Sequence, residues 1–147
     1  MKKILIIAAN FYQDISHMLI KGAISELDNN NNKLKNNNFD YELIEISGAL
    51  EIPTVISMAV KSNKFAGFIA LGAVIRGETT HYDYVCNEVM RGINDLAINK
   101  NLAIGNSVLT CENKDQAIVR ADIKHKNKGG FAAKVCLEMI KIKENLS

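Results

Sequence analysis

The residues best suited to chemistry gather in segment 72–85, Gly-Ala-Val-Ile-Arg-Gly-Glu-Thr-Thr-His-Tyr-Asp-Tyr-Val. An apolar run ends at Val74 and Ile75, a polar loop follows over 76–80, and helical spacing begins at His81. Gly77 reads as the residue that lets the backbone turn closely. Glu78, Thr79 and Thr80 then stand at a helix start, where exposed amides and the positive end of the helix dipole favour an anion. His81 can give and take protons near neutral pH. An ordinary capped helix with a half-buried histidine has the same composition. The other histidines are weaker candidates: His17 lies on the polar side of the first helix, and His125 sits in the basic stretch 124–128.

Three further places carry chemical potential. Ser47 to Pro53, Ser-Gly-Ala-Leu-Glu-Ile-Pro, follows a strand and opens a helix, so its free amides can read a planar polar ring; alone it is also an ordinary turn. Phe11 stands just past the first strand, where an aromatic ring can stack on a heterocycle or pack under the next helix. Arg120 closes a short helix, and Lys128 follows in Asn-Lys-Gly-Gly. The planar fork of Arg suits phosphate, although surface ion pairing is the default for both residues. No GxGxxG and no GxxxxGK[ST] occurs, so dinucleotide and P-loop readings lack support.

The elements that must position these residues alternate between strand and helix. Residues 4–9 are continuously apolar, as in a parallel strand covered on both faces. Ile15, Met18, Leu19, Gly22, Ala23 and Leu27 recur at helical spacing. The asparagine-rich stretch 28–38 reads as a solvated connection, because Asn favours turns. Residues 41–46 form a second, edge-like strand, and Pro53 opens the next helix. Residues 68–74 read as the third and most buried strand. A long helix follows, with the stripe His81, Tyr84, Val85, Val89, Ile93 and Leu96. Residues 102–109 form a fourth strand, 114–121 a short helix and 129–143 the last helix. This βα alternation predicts a parallel sheet between helical layers, with ligands beyond the carboxyl ends of the strands.

Composition bounds the rest. The chain has 147 residues, the size of one domain, and no internal repeat. Eighteen basic against 16 acidic residues leave a net charge of +2, too small to imply a nucleic-acid or membrane partner. The N-terminal run stops at Asn10 with no cleavage-type segment after it, so it reads as a strand of a cytoplasmic protein. Cys86, Cys111 and Cys136 show no metal-ligand spacing and read as reduced apolar residues, a catalytic thiol being the alternative.

Taken together, segments 9–11, 48–53, 72–85 and 109–121, continued by 127–129, resemble the 6,7-dimethyl-8-ribityllumazine synthase family of riboflavin biosynthesis, in the same order and over essentially the whole chain. The resemblance implies one domain over 1–147, folded as a flavodoxin-like three-layer α/β/α sandwich with a four-stranded parallel sheet. It implies condensation of 5-amino-6-(D-ribitylamino)uracil with 3,4-dihydroxy-2-butanone 4-phosphate, releasing phosphate and water, with no metal or redox cofactor. By position, Phe11 resembles the ring that stacks on the pyrimidinedione. Ala49, Leu50 and Glu51 resemble the turn holding the ribityl chain and the ring's polar edge, and Ala73, Val74 and Ile75 the backbone segment gripping the ring. Glu78, Thr79 and Arg120 match the phosphate-binding set, His81 the proton-transferring histidine and Lys128 a lysine near the ribityl chain. Asn106 stands where many members have Phe and others Asn. The resemblance also implies homopentamers with sites between neighbours, assembly toward a 60-subunit shell given the short 121–128 connection, and riboflavin synthase as a partner. A catalytically silent lumazine- or flavin-binding relative is the competing reading. On fold alone, a flavin-dependent electron carrier or a receiver module competes too, although no acidic phosphorylation cluster is found at the strand ends.

Overall fold

The structure, a computed structural model, describes residues 2–147. The apolar N-terminal run forms β1 (Lys2–Ala9), in which Ile4 to Ala9 are buried on both sides. There follow α1 (Gln13–Lys33), β2 (Phe39–Ile46), a 3-10 turn (Ala49–Glu51), α2 (Ile52–Val60), β3 (Phe65–Ile75) and α3 (His81–Lys100). The chain ends with β4 (Ile104–Cys111), α4 (Lys114–Ala121) and α5 (Lys128–Leu146). The four strands pair in the order β2-β1-β3-β4, all parallel.

Alternate residues of β1 point to opposite faces, and each face has its own core. Ile4 and Ile6 pack with Leu19 of α1, Ile69 and Leu71 of β3, and Ala132 and Ile140 of α5. Leu5 and Ile7 pack with Ile52 and Ile56 of α2, Phe68 of β3, and Val89 and Ile93 of α3. The result is a three-layer α/β/α sandwich of flavodoxin-like kind, as expected, with α1, α4 and α5 on one side and α2 and α3 on the other. Among the described residues no helix is long and apolar enough to cross a membrane.

Two features of the sheet make room for a ligand. The chain runs from β1 outward to β2 and then back across to β3, so the strand order reverses between the two central strands, where such folds bind ligands. β3 also outruns β1. Their pairing stops at Ala8↔Leu71, whereas β3 stays paired with β4 through Ile75↔Cys111. The β1-facing backbone edge of Ala73 to Ile75 is therefore left without a strand partner.

Several boundaries differ from the sequence reading. α1 continues through the first asparagines to Lys33, and only 34–38 form the connection. The reason is local. The Asn31 amide donates to the Phe39 carbonyl at 2.8 Å and accepts from the Phe39 N–H at 2.9 Å, latching the helix to the start of β2. β2 and β3 begin two and three residues earlier than read, and β4 begins at Ile104 because Asn101, left-handed at φ 54°, ends α3 and turns the chain. Tyr84 does not join the buried stripe of α3; it is 69% exposed. A Cβ at Gly77 would meet nothing within 4 Å, so the turn there does not depend on glycine.

Glycines matter where α5 packs: at Gly105 a Cβ would collide with the Ala132 carbonyl of α5, and Gly129 shows the same constraint against α1. At Gly129, in the first turn of α5, a Cβ would collide with the Leu19 carbonyl of α1, because the two helix backbones touch. Neither backbone can retreat without opening the core around Leu19 and Ala133. Gly129→Ala is expected to destabilise the fold by about 1–3 kcal/mol, the usual cost of overpacking. A urea midpoint equal to that of the parent chain would show that the contact relaxes freely.

Candidate functional site

A cavity of about 340 Å³ opens at the carboxyl ends of β1 and β3. Its walls come from Phe11 and Tyr12 after β1, Gly48 to Glu51 at the 3-10 turn, Ala73 to Ile75 at the end of β3, and His81 and Val85 on α3. Each wall follows from local structure. The Asn10 N–H donates to the Ile46 carbonyl at 2.8 Å, tying the exit of β1 to that of β2. Tyr12 then packs against the core and meets the Phe11 ring edge-on, with centroids 4.9 Å apart. Phe11 itself stays 73% exposed, an aromatic face held at the mouth without being part of the core.

The 3-10 turn follows Gly48, which is extended at φ −140°. Within it Ala49 is buried, Leu50 and Glu51 are exposed, and the Glu51 N–H makes only a long 3.4 Å bond to Gly48. Helix-start amides of this kind are free to bond a ligand. Opposite them lies the unpaired edge of Ala73 to Ile75. The cavity thus offers backbone donors and acceptors on two walls, an aromatic face on a third and an imidazole on the fourth, suited to a flat polar ring and to proton transfer.

Residues 76–80 are exposed and lead into α3. Thr80 is the N-cap of α3, and the Asp83 N–H donates to its carbonyl at 3.0 Å. The Thr79 hydroxyl accepts from the His81 N–H at 3.3 Å. Glu78 and Thr79 thus precede the helix start rather than line the cavity. His81 is exposed, not half-buried.

Asn106, Arg120 and Lys128 lie elsewhere. Asn106 is exposed on the edge strand β4, where its amide donates to the Met90 sulfur at 3.5 Å and its oxygen accepts from the Val108 N–H at 3.0 Å. It lines a separate groove with Met90 and Ile93. Arg120 donates to the Gln116 carbonyl of its own helix at 3.0 Å. The Lys128 ammonium sits 4.9 Å from the centre of the Phe131 ring, and its carbonyl accepts from Ser107 at 2.6 Å. Helices α4 and α5 pack on the opposite face of the sheet from the 3-10 turn and α3. Within one chain, the walls of the cavity and these two cations do not meet.

The sequence reading gave Arg76 no role, yet it has the densest polar contacts near the site. Its Nε bonds Glu112 at 2.6 Å, its Nη1 and Nη2 reach the Asp83 carboxylate at 3.4 and 3.3 Å, and its plane lies 4.4 Å from the Tyr82 ring centre. The bond to Glu112, then that to Asp83, holds the guanidinium still more firmly protonated than usual. Arg76 and Asp83 lie within one segment, but Glu112 is 36 residues away and only the pairing of β3 with β4 brings it close.

Burial pushes the Cys86 and Cys111 thiols up, and that of Cys136 up to about 12. Nucleophilic cysteines need the opposite shift, so the thiol alternative finds no support here. Among the described residues no group of three or more His, Cys, Asp or Glu side chains is placed to hold a metal ion.

Fold and cavity define an α/β protein with a small-molecule cleft at the switch point of a parallel sheet. A family profile described as 6,7-dimethyl-8-ribityllumazine synthase matches residues 1–144. The chain is 46% identical over 143 residues to the 6,7-dimethyl-8-ribityllumazine synthase of Bartonella henselae, covering 96% of this chain and 88% of that one. It is 44% identical over 147 residues to that of Zymomonas mobilis, covering 100% of both, and 44% identical over 144 residues to that of Sphingopyxis alaskensis, covering 98% and 96%. The chain belongs to the 6,7-dimethyl-8-ribityllumazine synthase family, transferases of riboflavin biosynthesis.

Because the Phe11 ring is largely in solvent, Phe11→Ala should change stability by no more than about 0.5 kcal/mol. A denaturant titration checks this, and a clearly larger loss would mean that the ring supports the core.

Proposed function

We propose that residues 1–147 form one catalytic domain that condenses 5-amino-6-(D-ribitylamino)uracil with 3,4-dihydroxy-2-butanone 4-phosphate, releasing phosphate and water. The observation that carries the reading is the cavity in which Phe11, the 49–51 turn, the free edge of 73–75 and His81 face one another. Phe11 stacks on the pyrimidinedione. Ala49, Leu50 and Glu51 hold the ribityl chain and the ring's polar edge, and the backbone of Ala73, Val74 and Ile75 bonds the other edge. Glu78 and Thr79, through the amides and hydroxyl before α3, take the phosphate, with Arg120 as its cation.

The primary amine of the uracil attacks the ketone, and loss of water leaves an imine. Phosphate then departs, the resulting enol tautomerises to a ketone, and the second nitrogen attacks it to close the ring with loss of water. Every step moves a proton, and His81 serves as donor and acceptor. The cation stabilises charge on the departing phosphate, and holding both reactants together supplies much of the remaining acceleration. Retention of both His81 and Arg120 weighs against a catalytically silent binder.

The position of Arg120 and Lys128 on the far layer supports a second element of the reading. Copies of the chain assemble as pentamers, in which Asn106, Arg120 and Lys128 of one copy complete the cavity of the next. A head-to-tail ring generates this arrangement. The link of six residues between Ala121 and Lys128 carries no insertion, which favours closure into a 60-subunit shell. We place the enzyme in the cytoplasm, with riboflavin synthase as the partner that takes its product.

Absorbance in the lumazine band, with both substrates and with the uncatalysed reaction subtracted, tests the activity. Product should grow well above the blank. His81→Ala should slow turnover by about a hundredfold at most, at the low end of general acid–base effects, with binding retained. Arg120→Ala should raise KM for the ketone phosphate by about tenfold or more, as expected for loss of a charge-assisted bond, and leave KM for the uracil amine unchanged. Unaltered ketone-phosphate affinity in that variant would show the assigned role to be wrong.

A further inference from the structure

Loop 76–80 joins the end of β3 to His81, yet its side chains are exposed and a Cβ at Gly77 would touch nothing within 4 Å. Packing within the chain does not hold it. What brackets it is one guanidinium. Arg76 continues the β3–β4 ladder by donating its N–H to the Cys111 carbonyl at 3.0 Å. Its side chain bonds Glu112 just past β4 at 2.6 Å, reaches both oxygens of Asp83 in the first turn of α3, and stacks on Tyr82. Three elements thus meet at one residue: β3, β4 and the start of α3. Exposed ion pairs taken singly contribute little. Here several contacts share one planar, five-donor group, a geometry that an ammonium cannot reproduce.

We propose that Arg76 is a positioning residue for the reaction: it bridges Glu112 and Asp83 and so fixes residues 77–81, aligning the phosphate-binding turn and His81 with the cavity. This rests on the function proposed above. Arg76 acts through the loop and touches no reactant in this role. Asp83 also closes the helix start, through its N–H to Thr80, so the clamp and the first turn of α3 are fixed together.

The test uses the full chain with Arg76→Lys and Glu112→Gln. Arg76→Lys keeps the charge and removes the fork. Glu112→Gln keeps the arginine and weakens the clamp while removing a negative charge near the anion site. Each should raise KM for the ketone phosphate, and the Kd of inorganic phosphate by calorimetric titration, about tenfold, as expected for a misplaced binding loop, with KM for the uracil amine unchanged. A purely electrostatic role makes the opposite forecast for Glu112→Gln, namely tighter phosphate binding. A merely structural role lowers the active fraction, and so apparent kcat, without moving either KM. Either pattern, unchanged phosphate affinity in both variants, or a parent chain that binds no phosphate overturns the proposal. Should Arg76→Lys fail to fold, Glu112→Gln decides alone. A parent chain that makes no lumazine but binds phosphate, with weaker binding in the variants, would sink the proposed function and leave the clamp standing.

Discussion

The rest of the structure depends on the unequal length of two neighbouring strands. β1 and β3 lie at the centre of the sheet with their middle residues covered on both faces, which excludes polar groups from their interior. Polar residues can appear only where these strands end. β1 ends at Ala9, while β3 runs on to Ile75 against β4. The step between them uncovers peptide groups that must find a partner other than a strand. A cavity walled by unpaired backbone, at the reversal point of the strand order, is the direct consequence.

Around that step the chain distributes its chemistry over two layers. The layer of α2 and α3 brings the 3-10 turn, Val85 and His81 to the cavity, and the tail of β1 brings Phe11. The layer of α1, α4 and α5 carries Arg120 and Lys128, turned toward their own helices. With a net charge of only +2, the molecule has no diffuse field to gather an anionic reactant. In the proposed reading fixed donors do so: the turn before α3, the arginine that brackets it and the cations of a neighbouring copy.

Much of this architecture was legible in the sequence, for identifiable reasons. The unbroken apolar run 4–9 is short and stops at Asn10, which marks a buried strand, and the helical stripe from Ile15 to Leu27 is equally plain. The ends of β1 and β3 locate Phe11 and Ala73 to Ile75 at one edge as soon as the sheet is known to be parallel. What escaped depends on contacts between distant residues. Intrinsic propensity ends α1 near Asp28, but Asn31 bonds the backbone of Phe39 and prolongs it. Tyr84 fits the helical period yet points to solvent. The Arg76–Glu112 pair joins segments that only strand pairing unites. Nor does periodicity reveal that Arg120 and His81 lie on opposite layers, since that depends on which way each crossover passes.

The central claim is that the catalytic site is shared between copies, the cavity from one and Arg120 from the next. Subunit mixing tests it most directly. One chain carries Arg120→Ala; the other carries both Phe11→Ala and His81→Ala. Each alone should be nearly inactive at low ketone-phosphate concentration. Co-assembled in equal amounts, they should recover about a quarter of the parent activity, because random head-to-tail pairing places an intact cavity beside an intact Arg120 at that frequency. Activity no greater than the mean of the two separate variants would contradict a shared site and place the phosphate cation within the same chain.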